Sequence, residues 1–129
     1  MPGAPGARAK LLVVEDNKET QLIIKVALRE KYDMLTVGNV DDALTSLSKN
    51  EFDLVLLDLN LGGSEEGRIV LSEIRDKRQN HKLPVLIVTA YDLQPESEKF
   101  YREKSNGIIT KPFEKKVLLD TINKILSKN

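Results

Sequence analysis

At 129 residues the chain is the size of one domain, long enough to bury a core and short for two. Hydrophobic residues at 40% and charged residues at 31% mark an ordinary globular protein, and Lys+Arg balances Asp+Glu at 20 each, so no basic excess exists to track nucleic acid. The absence of cysteine excludes disulfides and thiol chemistry, and no apolar stretch approaches the roughly 20 residues that span a bilayer; a cytoplasmic setting without membrane contact is expected.

Residues 1–9 (MPGAPGARA) are rich in Gly, Pro and Ala without periodicity, which predicts a flexible leader or linker ahead of one folded domain over 10–129. The first apolar run, 11–14, ends in Glu15-Asp16 and is followed by Leu22, Ile23, Val26 and Ala27 at helical spacing. The second, 34–37, precedes Ala43, Leu44 and Leu47, with Asn39 three residues before Asp42 as a start resembling a capping box. The third, 54–57, ends in Asp58; beyond Gly62, Gly63 and Gly67, a stripe of Val70, Leu71 and Ile74 predicts the next helix.

The fourth run, 85–88, ends in Thr89-Ala90. Pro95 with Glu96 and Glu98 then reads as the first turn of a helix over about 95–104, whose main nonpolar residues are Phe100 and Tyr101. The fifth, 107–110, ends in Lys111-Pro112 and leads to Val117, Leu118, Thr121, Ile122, Ile125 and Leu126, the period of a buried helix face. Strand and helix alternate five times, which predicts an α/β fold with a doubly wound parallel sheet.

In such a sheet ligands bind outside the carboxyl ends of the strands. Glu15, Asp16 and Asp58 therefore converge, and three crowded carboxylates call for a cation; oxygen donors in a partly hydrated site suit Mg²⁺. An aspartate beside Mg²⁺ is a competent nucleophile towards phosphorus, and Asp58, alone at its strand end, is the best candidate. Lys111 offers a point charge, Thr89 a hydroxyl and the small Ala90 an accessible backbone N–H to the oxygens of a phosphoryl group. Each residue alone is weak, since strand-end acids are commonly solvated or capping residues; four strand ends with matching chemistry are not. The single histidine, His81, sits in a polar connection and reads as an exposed loop residue.

The blocks LLVVEDN, LVLLDLNL, LPVLIVTAYD and ITKPF, in this order and spacing, resemble the receiver domain of two-component response regulators from about Lys10 to Leu126. The resemblance implies a flavodoxin-like five-stranded sheet of order 2-1-3-4-5 with five helices. It implies that Asp58 is phosphorylated by a histidine kinase or histidine phosphotransfer protein. Glu15 and Asp16, with Asp58 and the backbone carbonyl of Asn60, would hold Mg²⁺ or Mn²⁺. Thr89 matches the switch hydroxyl, Ala90 its small neighbour and Lys111 the lysine before proline, where the family leads one to expect a cis bond.

Three departures stand out. Ile108 occupies a position usually aromatic, the loop from Asn60 to Gly67 lacks a common proline, and Lys104-Ser105-Asn106 replaces a Gly-Ala turn. Phosphorylation is expected to shift a surface of the fourth helix, fifth strand and fifth helix that includes Lys99, Tyr101, Ile108 and Val117, with weak gating at Ile108. Asn60 and Tyr91, two beyond Asp58 and Thr89, are positioned to tune dephosphorylation. The expected product is a phospho-accepting regulator, not an enzyme beyond self-phosphorylation and autodephosphorylation. It would serve a downstream protein or output domain as a monomer or weak phosphorylation-dependent dimer, with no direct nucleic-acid contact. The alternatives are the receiver module of a hybrid kinase in a phosphorelay, a non-phosphorylated receiver-like module and a Mg²⁺-dependent aspartyl phosphohydrolase. No cap domain fits this length for the last of these, and Asn60 stands where its second acid belongs.

Overall fold

Strands and helices alternate without exception in the computed structural model, which describes residues 8–76, 82–90 and 93–128. The order is β1 (Lys10–Val14), α1 (Lys18–Leu28), β2 (Asp33–Val37), α2 (Val40–Lys49), β3 (Leu54–Leu57), α3 (Gly67–Asp76), β4 (Val85–Thr89), α4 (Pro95–Lys104), β5 (Gly107–Thr110) and α5 (Lys115–Ser127). All strand pairs are parallel and the sheet order is β2-β1-β3-β4-β5, as the resemblance implies.

Period-two alternation in the strands divides the core into two layers. Leu12, Val14, Val55, Leu57, Val85 and Ile87 face α2, α3 and Tyr101 of α4. Leu11, Val13, Leu54, Leu56, Leu86 and Val88 face α1 and α5, so the sheet is covered on both sides. Asn39 caps α2 as its spacing predicts, its side-chain oxygen accepting from the Asp42 N–H at 2.8 Å and its amide donating to the Asp42 carboxylate at 3.1 Å. No helix among the described residues is long and apolar enough to cross a membrane.

Two expectations are corrected. The helical spacing of Leu22, Ile23, Val26 and Ala27 predicts one shared packing face; the sheet instead takes Ile24, Ala27 and Leu28, and Leu22, Ile23 and Val26 stand 60%, 50% and 47% exposed. The helix carries two apolar stripes, and only the packing angle decides which one turns inward. Tyr101, a packing residue by its apolar ring but also named for the surface that shifts, is 1% exposed and packs in the core layer that includes Leu57, Leu59 and Val70, so only the packing role holds. One structural device has no signature in the sequence. Arg75, at the end of α3, donates to the carbonyls of Lys104 (2.7 Å) and Leu83 (2.7 Å) and to the Asn106 side chain (3.2 Å), tying the end of α4 and the start of β4 to α3. Burial lowers the Arg75 pKa.

Candidate functional site

Parallel register carries the chemistry to one edge. β1 and β3 pair Val14 with Leu57, and the Asp58 N–H continues the ladder to the Val14 carbonyl at 3.0 Å, so Asp58 emerges beside Glu15 and Asp16. β4 and β5 pair Thr89 with Thr110, and the Lys111 N–H bonds the Thr89 carbonyl at 2.9 Å. The Lys111-Pro112 peptide bond is cis.

Glu15, Asp16 and Asp58 each place a carboxylate oxygen within 4.8 Å of the others. Lys111 Nζ donates to Glu15 Oε1 at 2.6 Å and to Asp58 Oδ2 at 3.2 Å. Asp58 Oδ1 accepts from the Asn60 N–H at 3.1 Å, Glu15 Oε2 from the Asn17 N–H at 3.0 Å, and Asp16 Oδ2 from the Gly62 N–H at 2.9 Å. Glu15 and Asp58 are buried while Asp16 is exposed. The three carboxylates are hard oxygen donors opposed by one ammonium, so the set fits a divalent cation such as Mg²⁺.

Electrostatics follow from that crowding. Burial pushes the Glu15 pKa up, hydrogen bonds from Lys111 and the Asn17 amide pull it back, and repulsion by Asp58 raises it again; the result lies above the usual 4.5. Burial opposes the Lys111 ammonium, but its hydrogen bond to Glu15 and attraction to Asp58 and Glu15 prevail, leaving its pKa above 10.5. Lys111 therefore stays a cation throughout neutral pH.

Of the residues singled out in the sequence, Glu15, Asp16, Asp58, Asn60, Ala90 and Lys111 line one open cleft of about 670 Å³. Thr89 does not reach its wall: it is fully buried at the end of β4. Ile108 is partly buried against the core layer that contains Tyr101. Tyr91 and His81 lie outside the described residues. Sequence reasoning missed Asn17 and Thr20, which also line the cleft; Asn17 caps α1, accepting from the Thr20 N–H at 2.8 Å, and an Asn just before a helical stripe is a legible capping signal. It noted Gly67 only as part of a glycine-rich loop, whereas a Cβ there would stand 2.3 Å from the Asp58 carbonyl oxygen and 2.6 Å from Leu59 Cα, so only glycine lets α3 start against the Asp58 backbone.

The chain is similar in sequence and fold to known proteins. The family model for the response regulator receiver domain matches residues 11–123. The chain is 32% identical over 122 residues to the chemotaxis protein CheY-3 of Vibrio cholerae, covering 92% of each protein. It is 31% identical to the response regulator protein FleR of Pseudomonas aeruginosa over 88% of this chain, but spans only 24% of that relative's length. Among solved structures, the receiver domain of a sensor histidine kinase from Pseudomonas aeruginosa superposes with a TM-score of 0.78 at 28% identity, covering 95% of this chain and 97% of that one. That structure has a magnesium ion coordinated in its active site cleft.

Proposed function

Because the chain belongs to the family of response regulator receiver domains of two-component signalling, we propose that Asp58 accepts a phosphoryl group from the phosphohistidine of a histidine kinase or histidine phosphotransfer protein. One observation carries this reading: Asp58, Glu15, Asp16 and Lys111 meet at the strand ends with Lys111 Nζ 3.2 Å from Asp58 Oδ2.

In the step itself an Asp58 carboxylate oxygen bonds to phosphorus as the bond from phosphorus to the donor imidazole nitrogen breaks; the electron pair stays on that nitrogen and the proton on the other ring nitrogen of the donor remains there, leaving an acyl phosphate and a neutral histidine. Lys111 offsets charge on the phosphoryl oxygens, the exposed Ala90 keeps its side of the cleft open, and Glu15 positions the Lys111 ammonium. A divalent cation held by Glu15, Asp16, Asp58 and the Asn60 carbonyl would supply the remaining counter-charge. The Thr89 hydroxyl, one residue before Ala90, turns towards the new acceptor oxygens, and the exposed Lys99 and Val117 together with Ile108 mark the surface that changes.

The phosphodonor docks on α1. Asn17 and Thr20 at its start line the cleft, and Leu22, Ile23 and Val26 leave an apolar face uncovered alongside it. Incubation with acetyl phosphate and Mg²⁺ followed by intact mass measurement tests the acceptor. A single phosphate adduct, absent from Asp58→Asn, is expected; an adduct that survives in Asp58→Asn assigns the chemistry elsewhere.

A further inference from the structure

We infer that the hydrogen bond from Tyr101 to Glu65 couples the acid cleft to α4, a device that rests on the phosphoacceptor reading above. α4 is thinly anchored: Tyr101 is its one buried residue. The Tyr101 hydroxyl donates to Glu65 Oε2, and a phenol this deep requires an acceptor. Glu65 lies in the segment leading from Asp58 to α3, residues 58–66, so the anchor of α4 is fastened to the acceptor strand's own exit loop.

That loop grips the cleft at two points. The Asn60 N–H bonds Asp58 Oδ1 at 3.1 Å and the Gly62 N–H bonds Asp16 Oδ2 at 2.9 Å. Between Leu61 and Ser64 the chain closes on itself, the two residues exchanging both backbone hydrogen bonds at 2.9 and 3.3 Å around Gly62 and Gly63, whose φ values are +64° and +84°. Leu61 is 1% exposed, so the turn is pinned at its base. A shift of the Asp16 carboxylate towards a cation, or of Asp58 on phosphorylation, therefore drags the turn as one piece and carries Glu65 with it. Contiguous hydrogen bonds then deliver the displacement to Tyr101.

The ring is held separately. Phe100 meets Tyr101 edge-on at 5.2 Å and carries the Arg68 guanidinium 4.7 Å above it, which clasps α4 to α3 without the hydroxyl. Removing only the hydroxyl thus leaves α4 docked on α3 but without its hydrogen bond to the loop. Ile108, with no polar atom in its side chain, cannot make such a link from β5.

Hydrogen exchange read by mass spectrometry, with and without Mg²⁺ plus beryllofluoride, tests the coupling in the wild type, Tyr101→Phe and Glu65→Ala. In the wild type both the 58–66 loop and α4 should change protection. In either variant the loop response should persist while the α4 response is lost. An α4 response retained in the variants, or a silent α4 beside a responding loop in the wild type, overturns the coupling. A loop that does not respond in the wild type removes the phosphoacceptor reading itself.

Discussion

Lys111 settles the charge balance of the cleft, since its ammonium is the cation bonded to both Glu15 and Asp58. Removing one member of a buried pair leaves the others uncompensated, at a cost of about 3 kcal/mol or more. Lys111→Met should lose about that much in urea denaturation at neutral pH without divalent cation. The pH dependence has a definite sign on the alkaline side: the folded state favours the ammonium, so as long as the cleft carboxylates are ionised the advantage of the wild type is complete below 10.5 and is lost as pH rises through the raised folded value, while acid that protonates Glu15, whose pKa is itself raised, removes it from the other side. A gap between the two proteins that narrows near neutrality would contradict the assignment. Gly67 makes a sharper steric prediction. The atoms its Cβ would meet, at 2.3 and 2.6 Å, are backbone atoms of Asp58 and Leu59, which cannot yield as a side-chain tip does. Gly67→Ala should destabilise by about 1–3 kcal/mol, the usual cost of overpacking, and slow acetyl phosphate labelling because Asp58 itself is displaced. Unchanged stability and labelling together would show that α3 can slide away freely.

Elements differ in how much of them the sequence discloses. β3 is an apolar run throughout and β4 is one up to its last residue, Thr89, because both faces of a central parallel strand are covered, so their places were legible from the runs themselves. The acid pair, Asp58 and Lys111 were legible for a related reason: each follows its strand directly, and strand direction sends all of them to one edge. Helix orientation was not. α1 offers Leu22, Ile23 and Val26 on one stripe and Ile24, Ala27 and Leu28 on another, and the choice belongs to tertiary packing, which periodicity cannot see. The Arg75 clamp and the Tyr101–Glu65 bond were invisible for the same cause: apart from the Arg75 bond to Leu83, they join residues 29 to 36 positions apart through contacts that no local pattern encodes. The uncovered stripe of α1 yields its own prediction. Leu22→Asp combined with Val26→Asp should cut phosphotransfer from a phosphohistidine protein at least tenfold, about 1.4 kcal/mol of docking free energy, while acetyl phosphate labelling stays unchanged. Equal losses with both donors would place the effect in the cleft and not in docking.

At the scale of the whole molecule, folding concentrates charges that the extended chain keeps apart. Three carboxylates from β1 and β3 gather within 4.8 Å against one ammonium from the end of β5, and the fold must bear that repulsion wherever no cation relieves it. A cation that binds this arrangement binds the folded chain and not the unfolded one, so it stabilises by mass action, about 2.7 kcal/mol at a concentration 100-fold above its dissociation constant. Mg²⁺ should therefore raise the urea midpoint where sodium chloride of equal ionic strength does not, and a chelator should reverse the gain. Asp16 separates this binding from general screening. It is the exposed member of the three, and an asparagine there can still accept from the Gly62 N–H. Asp16→Asn should thus leave the metal-free protein as stable as the wild type or more so, because one crowded charge has gone, while most of the Mg²⁺ increment disappears. If instead the variant is weaker without metal and keeps the full increment, the cation is held by other oxygens and the acidic cluster is a structural feature of the cleft mouth.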